Sequence, residues 1–155
     1  MPELRLIVRI ATKDLNGKSP IPKALMELRG ISHRMAKIIA KKFEKETGIK
    51  WNSKIGELSE SMDKKLEEIV LHPEKFGVPL WSLNKQKEYE TGEDKHMIMG
   101  DLEFEMRKNL QRLSKIKSYR GLRLGWGLTV RGQKTKSTHR GKGPVVGVMK
   151  KDAKK

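Results

Sequence analysis

The chain has 155 residues, of which 35% are apolar, 5% aromatic and 35% charged, so it can fill one lean core but not a large multidomain enzyme. Its 35 Lys and Arg against 19 Asp and Glu leave a formal net charge of +16, an excess that calls for a polyanionic partner or a very salty cell. Cysteine is absent, which excludes disulfides, thiolate catalysis and cysteine-ligated zinc or iron-sulfur sites.

The chain begins with Leu4, Ile7, Val8 and Ile10, interrupted by Arg5 and Arg9, which reads as a brief strand or an extended arm. Asn16-Gly17 is the turn signal that follows. After Pro20 and Pro22, residues 23–28 read as a short helix burying Ala24, Leu25 and Leu28, stopped by Gly30. Ser32 caps a second helix in which Met35, Ile38, Ile39, Ala36 and Phe43 recur at helical spacing before Thr47-Gly48 ends it. The turn between them, Arg29-Gly30-Ile31-Ser32, can point backbone N–H groups outward toward a phosphate.

A third helix over about 62–71, with Leu66, Ile69 and Val70 inward, is closed by Pro73. Periodicity is then lost up to Gly100. Phe76, Val78, Leu80, Trp81 and Leu83 are expected to pin this stretch down, and 85–95 to form a polar surface loop. Asp101 is the expected N-cap of the clearest helix in the chain. Its stripe Leu102, Met106, Leu110, Leu113 and Ile116 is expected to lie in the core, with Lys108, Arg112 and Lys115 on another face.

Charge is distributed unevenly. Residues 1–106 hold 19 basic and 18 acidic side chains, whereas 107–155 hold 16 basic ones and Asp152 alone. From Lys117 the sequence KSYRGLRLGWGLTVRGQKTKSTHRGKGPVVGVMKKDAKK shows no sustained helical period and is punctuated by glycine. Ordering such a segment costs roughly 1–2 kcal/mol of backbone entropy per residue, which phosphate contacts and released counterions offset. An irregular arginine- and glycine-rich segment suits folded RNA better than the regular groove of B-form DNA. Tyr119 and Trp126 either stack on bases or cover the end of the helical core, and Trp51 and Trp81 read as core.

The string NLQRLSKIKSYRGLRLGWGLTVRGQKTKSTHRGKGP from Asn109 resembles the signature of the universal small-subunit ribosomal protein family numbered thirteen. Upstream, LRGISHRMAKIIAKKFEKETGI resembles that family's helix-turn-helix segment, and IGELSE its link to the third helix. The resemblance implies a mainly α fold: a small helix-two-turn-helix domain over 1–118, with a short N-terminal arm and an insertion at 72–100, then an extended basic tail over 119–155. It implies a place in the small-subunit head with no cofactor or metal. The partners it implies are small-subunit rRNA, peptidyl-site tRNA, neighbouring head proteins and a large-subunit protein across the interface.

The residues expected to contact rRNA are Arg29, Gly30, Lys108, Arg112, Lys115, Lys117, Arg120, Arg123, Arg131, Gln133, Lys134, Lys136, Arg140 and Lys142. Lys150, Lys151, Lys154 and Lys155 are the candidates for tRNA. The longer 72–100 link and the extra residues before Leu6 resemble the archaeal and eukaryotic-cytosolic branch, and the lysine-rich composition favours archaea. No leader or membrane-spanning run is read in the sequence, so a cytoplasmic location is expected.

Three alternatives stand beside this reading. A stand-alone DNA-binding protein would use the Arg29 turn and the tail. A helix-two-turn-helix glycosylase would need Pro2 as nucleophile and a larger catalytic domain. A metal or catalytic role for the histidines lacks support, because His33, His72, His96 and His139 lie on separate segments without ligand spacing.

Overall fold

The structure, a computed structural model, describes residues 4–136. The elements in order are strands β1 (Ile7–Ile10) and β2 (Lys13–Asn16) and helices α1 (Ile21–Leu25), α2 (His33–Thr47), α3 (Glu60–Leu71), α4 (Met99–Lys115) and α5 (Tyr119–Gly125). Single 3-10 turns lie at Ile55–Glu57, Pro73–Phe76 and Leu80–Ser82. The described chain is predominantly helical. It divides into a unit ending at Asn109 and a second beginning at Leu110, each described by itself.

In the first unit, β1 and β2 pair antiparallel, with Val8 opposite Leu15 and Ile10 opposite Lys13. Alternation puts Val8, Ile10 and Leu15 in the core and leaves Ile7 and Arg9 outside. The hairpin turns at Ala11-Thr12, both in the left-handed region at φ 46° and 69°. Asn16-Gly17 makes a further turn just after β2, as the sequence suggests: the Ser19 amide donates to the Asn16 carbonyl at 3.0 Å and the Lys18 amide to the Asn16 side-chain oxygen at 3.0 Å. The Ala11 amide donates to Glu67 of α3 at 3.1 Å, while Gly17 ends β2 where the backbone needs close approach. A Cβ on Gly17 would lie 1.8 Å from the Arg5 carbonyl oxygen.

Helix α1 begins at Ile21, two residues earlier than the sequence suggests, because Pro20 and Pro22 preset the first turn. In α2, Met35, Ala36, Ile39, Ala40 and Phe43 form the buried face expected of the pattern, and Gly48 at φ 74° terminates the helix. Helix α3 buries Leu66, Ile69 and Val70 and ends at His72, ahead of Pro73. It also buries Asp63. Burial pushes that carboxyl up, opposed by the Arg5 guanidinium 2.7 Å away.

The stretch between α3 and α4 is ordered by specific contacts. Val78, Leu83 and Ile98 are buried and Phe76 packs against the core. Lys85 and Lys95 exchange backbone hydrogen bonds at 3.1 and 2.8 Å. The Asn84 side chain accepts from the Met97 amide at 2.8 Å and donates to the Met97 carbonyl at 2.5 Å, completing the neck of the polar loop. Leu80 and Trp81 correct the expectation of burial: Trp81 is 66% exposed, with the Arg34 guanidinium 5.9 Å from its ring centre.

Helix α4 corrects it further. The helix starts at Met99, so Asp101 lies in its first turn and is not the cap, and none of its residues is buried. Leu102 and Leu113 are half-covered, whereas Leu110 is 44% and Ile116 66% exposed. The first-unit core is closed by the hairpin, α1 to α3 and the Val78, Leu83 and Ile98 contacts, with Met99 packing against it. The helical period identified an apolar face correctly but not its neighbour.

Candidate nucleic-acid interface

The second unit begins with the last turns of α4. Lys117 takes φ 53° and breaks the helix. Ser118 then caps α5: its hydroxyl accepts from the Gly121 amide at 3.1 Å and donates to the Leu113 carbonyl at 3.1 Å. Gly121 is buried, and a Cβ there would lie 2.3 Å from the Leu113 oxygen. The helix ends at Trp126, followed by Gly127 at φ 68°, where the Leu128 amide donates to Arg123 at 2.9 Å.

Residues 119–125 are therefore helical and not extended. The glycine that looked like an element of flexibility is the contact point between two consecutive helices of one chain. Beyond Gly127 the described residues have no regular structure, and 131–136 are exposed.

The expected RNA-binding residues fall into three groups. In the first unit, Arg29 forms an ion pair with Glu103, its amide meets the Met99 sulfur at 3.3 Å, and its carbonyl accepts from the Met99 amide at 2.8 Å. Gly30, at φ 106°, lies against the Met97–Ile98 backbone: a Cβ would be 2.7 Å from the Met97 oxygen. One side of the expected phosphate-facing turn is thus covered by the chain itself. Lys108 is held by Glu90 at 2.6 Å, and that hydrogen bond raises its pKa.

In the second unit, Lys115, Lys117, Arg120, Arg131, Gln133, Lys134 and Lys136 are exposed. Arg112 is half-covered, and Arg123 turns its Nε onto the Thr129 carbonyl at 2.9 Å, leaving the end of its guanidinium as the part able to reach a ligand. Arg140, Lys142, Lys150, Lys151, Lys154 and Lys155 lie outside the described residues.

The electrostatic contrast has a simple origin. In the first unit, Lys85 and Lys95 also meet carboxylates, from Glu105 and from Glu88 and Glu93. Residues 110–136 contain eight cationic side chains and no Asp or Glu, so this stretch supplies no neutralising group of its own. Their field strengthens as salt is lowered and favours a phosphate chain. Alongside the charge stand exposed aromatic surfaces, Tyr119 and Trp126, the latter 68% accessible. Among the described residues no cluster of His, Asp and Glu could hold a metal ion, and no helix is long and apolar enough to cross a membrane.

A family model, ribosomal protein S13/S18, matches residues 9–141. The chain is 42% identical over 149 residues to the small ribosomal subunit protein uS13 of Methanothermobacter thermautotrophicus, covering 96% of this chain and 97% of the relative. It is 44% identical over 151 residues to the protein of the same name from Methanopyrus kandleri, again with 96% and 97% covered. With that of Saccharolobus solfataricus it shares 38% over 151 residues, covering 97% and 88%.

Fold, charge and similarity together define a small, basic, predominantly helical structural protein of the ribosome that binds RNA and is not an enzyme. More narrowly, the chain belongs to the ribosomal protein S13/S18 family, in its archaeal branch, as the resemblance in the sequence implied.

Proposed function

We propose that the chain is a cytoplasmic component of the small-subunit head, where it neutralises and holds rRNA, touches neighbouring head proteins and a large-subunit protein, and reaches peptidyl-site tRNA. The observation that carries this is the segregation of charge: from residue 106 to 151 the chain contains no acidic residue, while family membership supplies an rRNA-rich setting. The proposed organisation is a helical domain over 1–118 and an RNA-binding tail over 119–155, with α5 as the tail's structured start.

Lys115, Lys117, Arg120, Arg131, Gln133, Lys134 and Lys136 act as direct phosphate and sugar contacts, joined by Arg112, Arg123, Arg140 and Lys142. Arg29 and Lys108 contribute by exchanging a carboxylate for a phosphate. The Gly30 backbone contributes only from the side that Met97 leaves open. Lys150, Lys151, Lys154 and Lys155 are the tRNA-directed residues.

The test is co-sedimentation of the full chain with small subunits through a salt wash, followed by its location in a density map of the ribosome. Stoichiometric retention in the head supports the proposal, and recovery apart from ribosomes overturns it. Binding duplex DNA as tightly as a structured head-domain rRNA fragment at matched salt would favour a DNA-binding protein instead.

A further inference from the structure

The first unit carries a hollow that the tail-centred reading leaves unused. Pro20, α1, the start of α2 and the connection after α2 meet around Trp51 to form an open surface hollow of about 290 Å³, near the ~300 Å³ lower end of ordinary small-ligand sites. Its apolar wall is made by Pro22, Met26 and the half-buried Trp51, and its cationic rim by Lys23, His33 and Lys37. No carboxylate lines it.

That last point separates it from the two other hollows described in this unit. One includes Asp14 and Glu27, the other Glu74 and Asp101, and either pair would repel a phosphate. Here the rim lysines reach from α1 and from α2, so the positive charge comes from two sides of one apolar floor. The amino-terminal turn of α2, from which His33 projects, holds no acidic residue and adds its partial positive charge to the same rim.

An aromatic and apolar wall beside two ammonium groups matches one ligand chemistry closely: an unstacked nucleobase against the wall and its phosphate on the lysines. We propose that this hollow binds a single extruded nucleotide of an RNA strand, giving the first unit a base-holding site separate from the phosphate contacts of the tail. The proposal rests on the RNA-binding function proposed above and specifies what the first unit contributes to it. Trp51 is the base-contacting residue and Lys23 and Lys37 the phosphate-contacting ones, with His33 at the edge.

The test is a titration of the full chain with adenosine 5′-monophosphate, following backbone amides and the three tryptophan indole N–H signals by NMR. The expected result is saturable movement of the Trp51 indole and of the Lys23, His33 and Lys37 amides, with ribose 5-phosphate binding more weakly for want of a base. The double substitution Lys23→Glu and Lys37→Glu should weaken the nucleotide by roughly tenfold or more through charge reversal at the phosphate. Trp51→Phe, which keeps the apolar wall, should reduce the effect while leaving the circular dichroism unchanged.

Movement confined to the Trp126 indole and tail amides overturns the proposal. So does equal binding of ribose 5-phosphate, or tighter binding of an acidic peptide than of the nucleotide. A head-domain rRNA fragment separates the two levels of the argument. If wild type binds the fragment but the nucleotide leaves Trp51 unmoved, this site is refuted and the ribosomal function stands. If wild type ignores the fragment, the function itself fails and the site loses its ligand.

Discussion

The unit ending at Asn109 and the one beginning at Leu110 handle positive charge in opposite ways. The first sets cations against its own carboxylates, Arg5 with Asp63, Arg29 with Glu103 and Lys108 with Glu90. The second has no carboxylate among its described residues. The lesson is that net charge alone says little about where a polyanion docks, because ion pairs in the first unit mask much of its basic character, the exposed ones exchanging readily for phosphate. On the proposed function, the docking surface is the stretch that holds no carboxylate of its own.

Removing residues 119–155 puts the largest strain on that contrast. Affinity for a head-domain rRNA fragment should fall by about a hundredfold or more at moderate salt, as many phosphate contacts are lost together. Circular dichroism should lose only the share due to α5, and a general loss of helix would show that the removed segment belongs to the core.

A pair of glycine substitutions sharpens it. Gly17→Ala drives a Cβ into the Arg5 carbonyl and should cost the first unit about 2–3 kcal/mol, seen as a lower Tm. Gly121→Ala meets the Leu113 carbonyl instead. It should unseat α5 and weaken RNA binding severalfold while leaving the main thermal transition in place. A common Tm shift for both would merge the two units energetically.

Acidification probes the first unit through His96. Burial lowers the His96 pKa, neither ring nitrogen has a partner in the structure, and His72, Glu74, Lys95 and Asp101 face the same hollow. The unfolded imidazole, titrating near 6.5, then binds protons that the folded one refuses. The contribution of His96 to stability is complete above about pH 6.5 and is lost as pH falls toward and through the lower folded value. Urea midpoints between pH 7.5 and 5 should drop, with a shallower drop in His96→Leu. Unchanged pH dependence in that variant would assign the effect to other groups.

Two smaller changes complete the series. Thr12→Gly relieves a β-branched residue at φ 69° in the hairpin turn and should raise stability by roughly 0.5–1 kcal/mol without touching RNA affinity. Arg120→Ala should reduce the slope of log affinity against log salt by about 1 or less, with little change in which RNA is chosen.

Much of the fold was written locally. The spacing of Met35, Ile39 and Phe43 and the Gly48 stop describe α2 almost completely, and Leu66, Ile69 and Val70 do the same for α3. The failures share one cause, that a local pattern does not name its distant partner. Asn16-Gly17 forms the turn its chemistry announces, but the hairpin turn at Ala11-Thr12 carries no such signal, and its Ala11 amide is held by Glu67, more than fifty residues away. The stripe on α4 is amphipathic, but the first-unit core is closed by other segments.

Helix α5 is not legible in the sequence because two glycines within seven residues argue against a helix. Its warrant is the Ser118 bridge to Leu113 and the tight seat that only Gly121 fits. For the interface, the charge was readable by counting. That Arg29, Lys108 and Arg123 already have partners within the chain was not, nor was the hollow around Trp51, which needs residues from three separate stretches.

The Asn84 side chain, with its two hydrogen bonds to the Met97 backbone, works as a clasp at the base of the excursion between them. Leu83 and Ile98 are anchored on either side of it, while Lys85, Glu90 and His96 tie the body of the excursion back to the unit. What evolution can redraw cheaply is therefore the tip around Gly92, where an added side chain would meet open space.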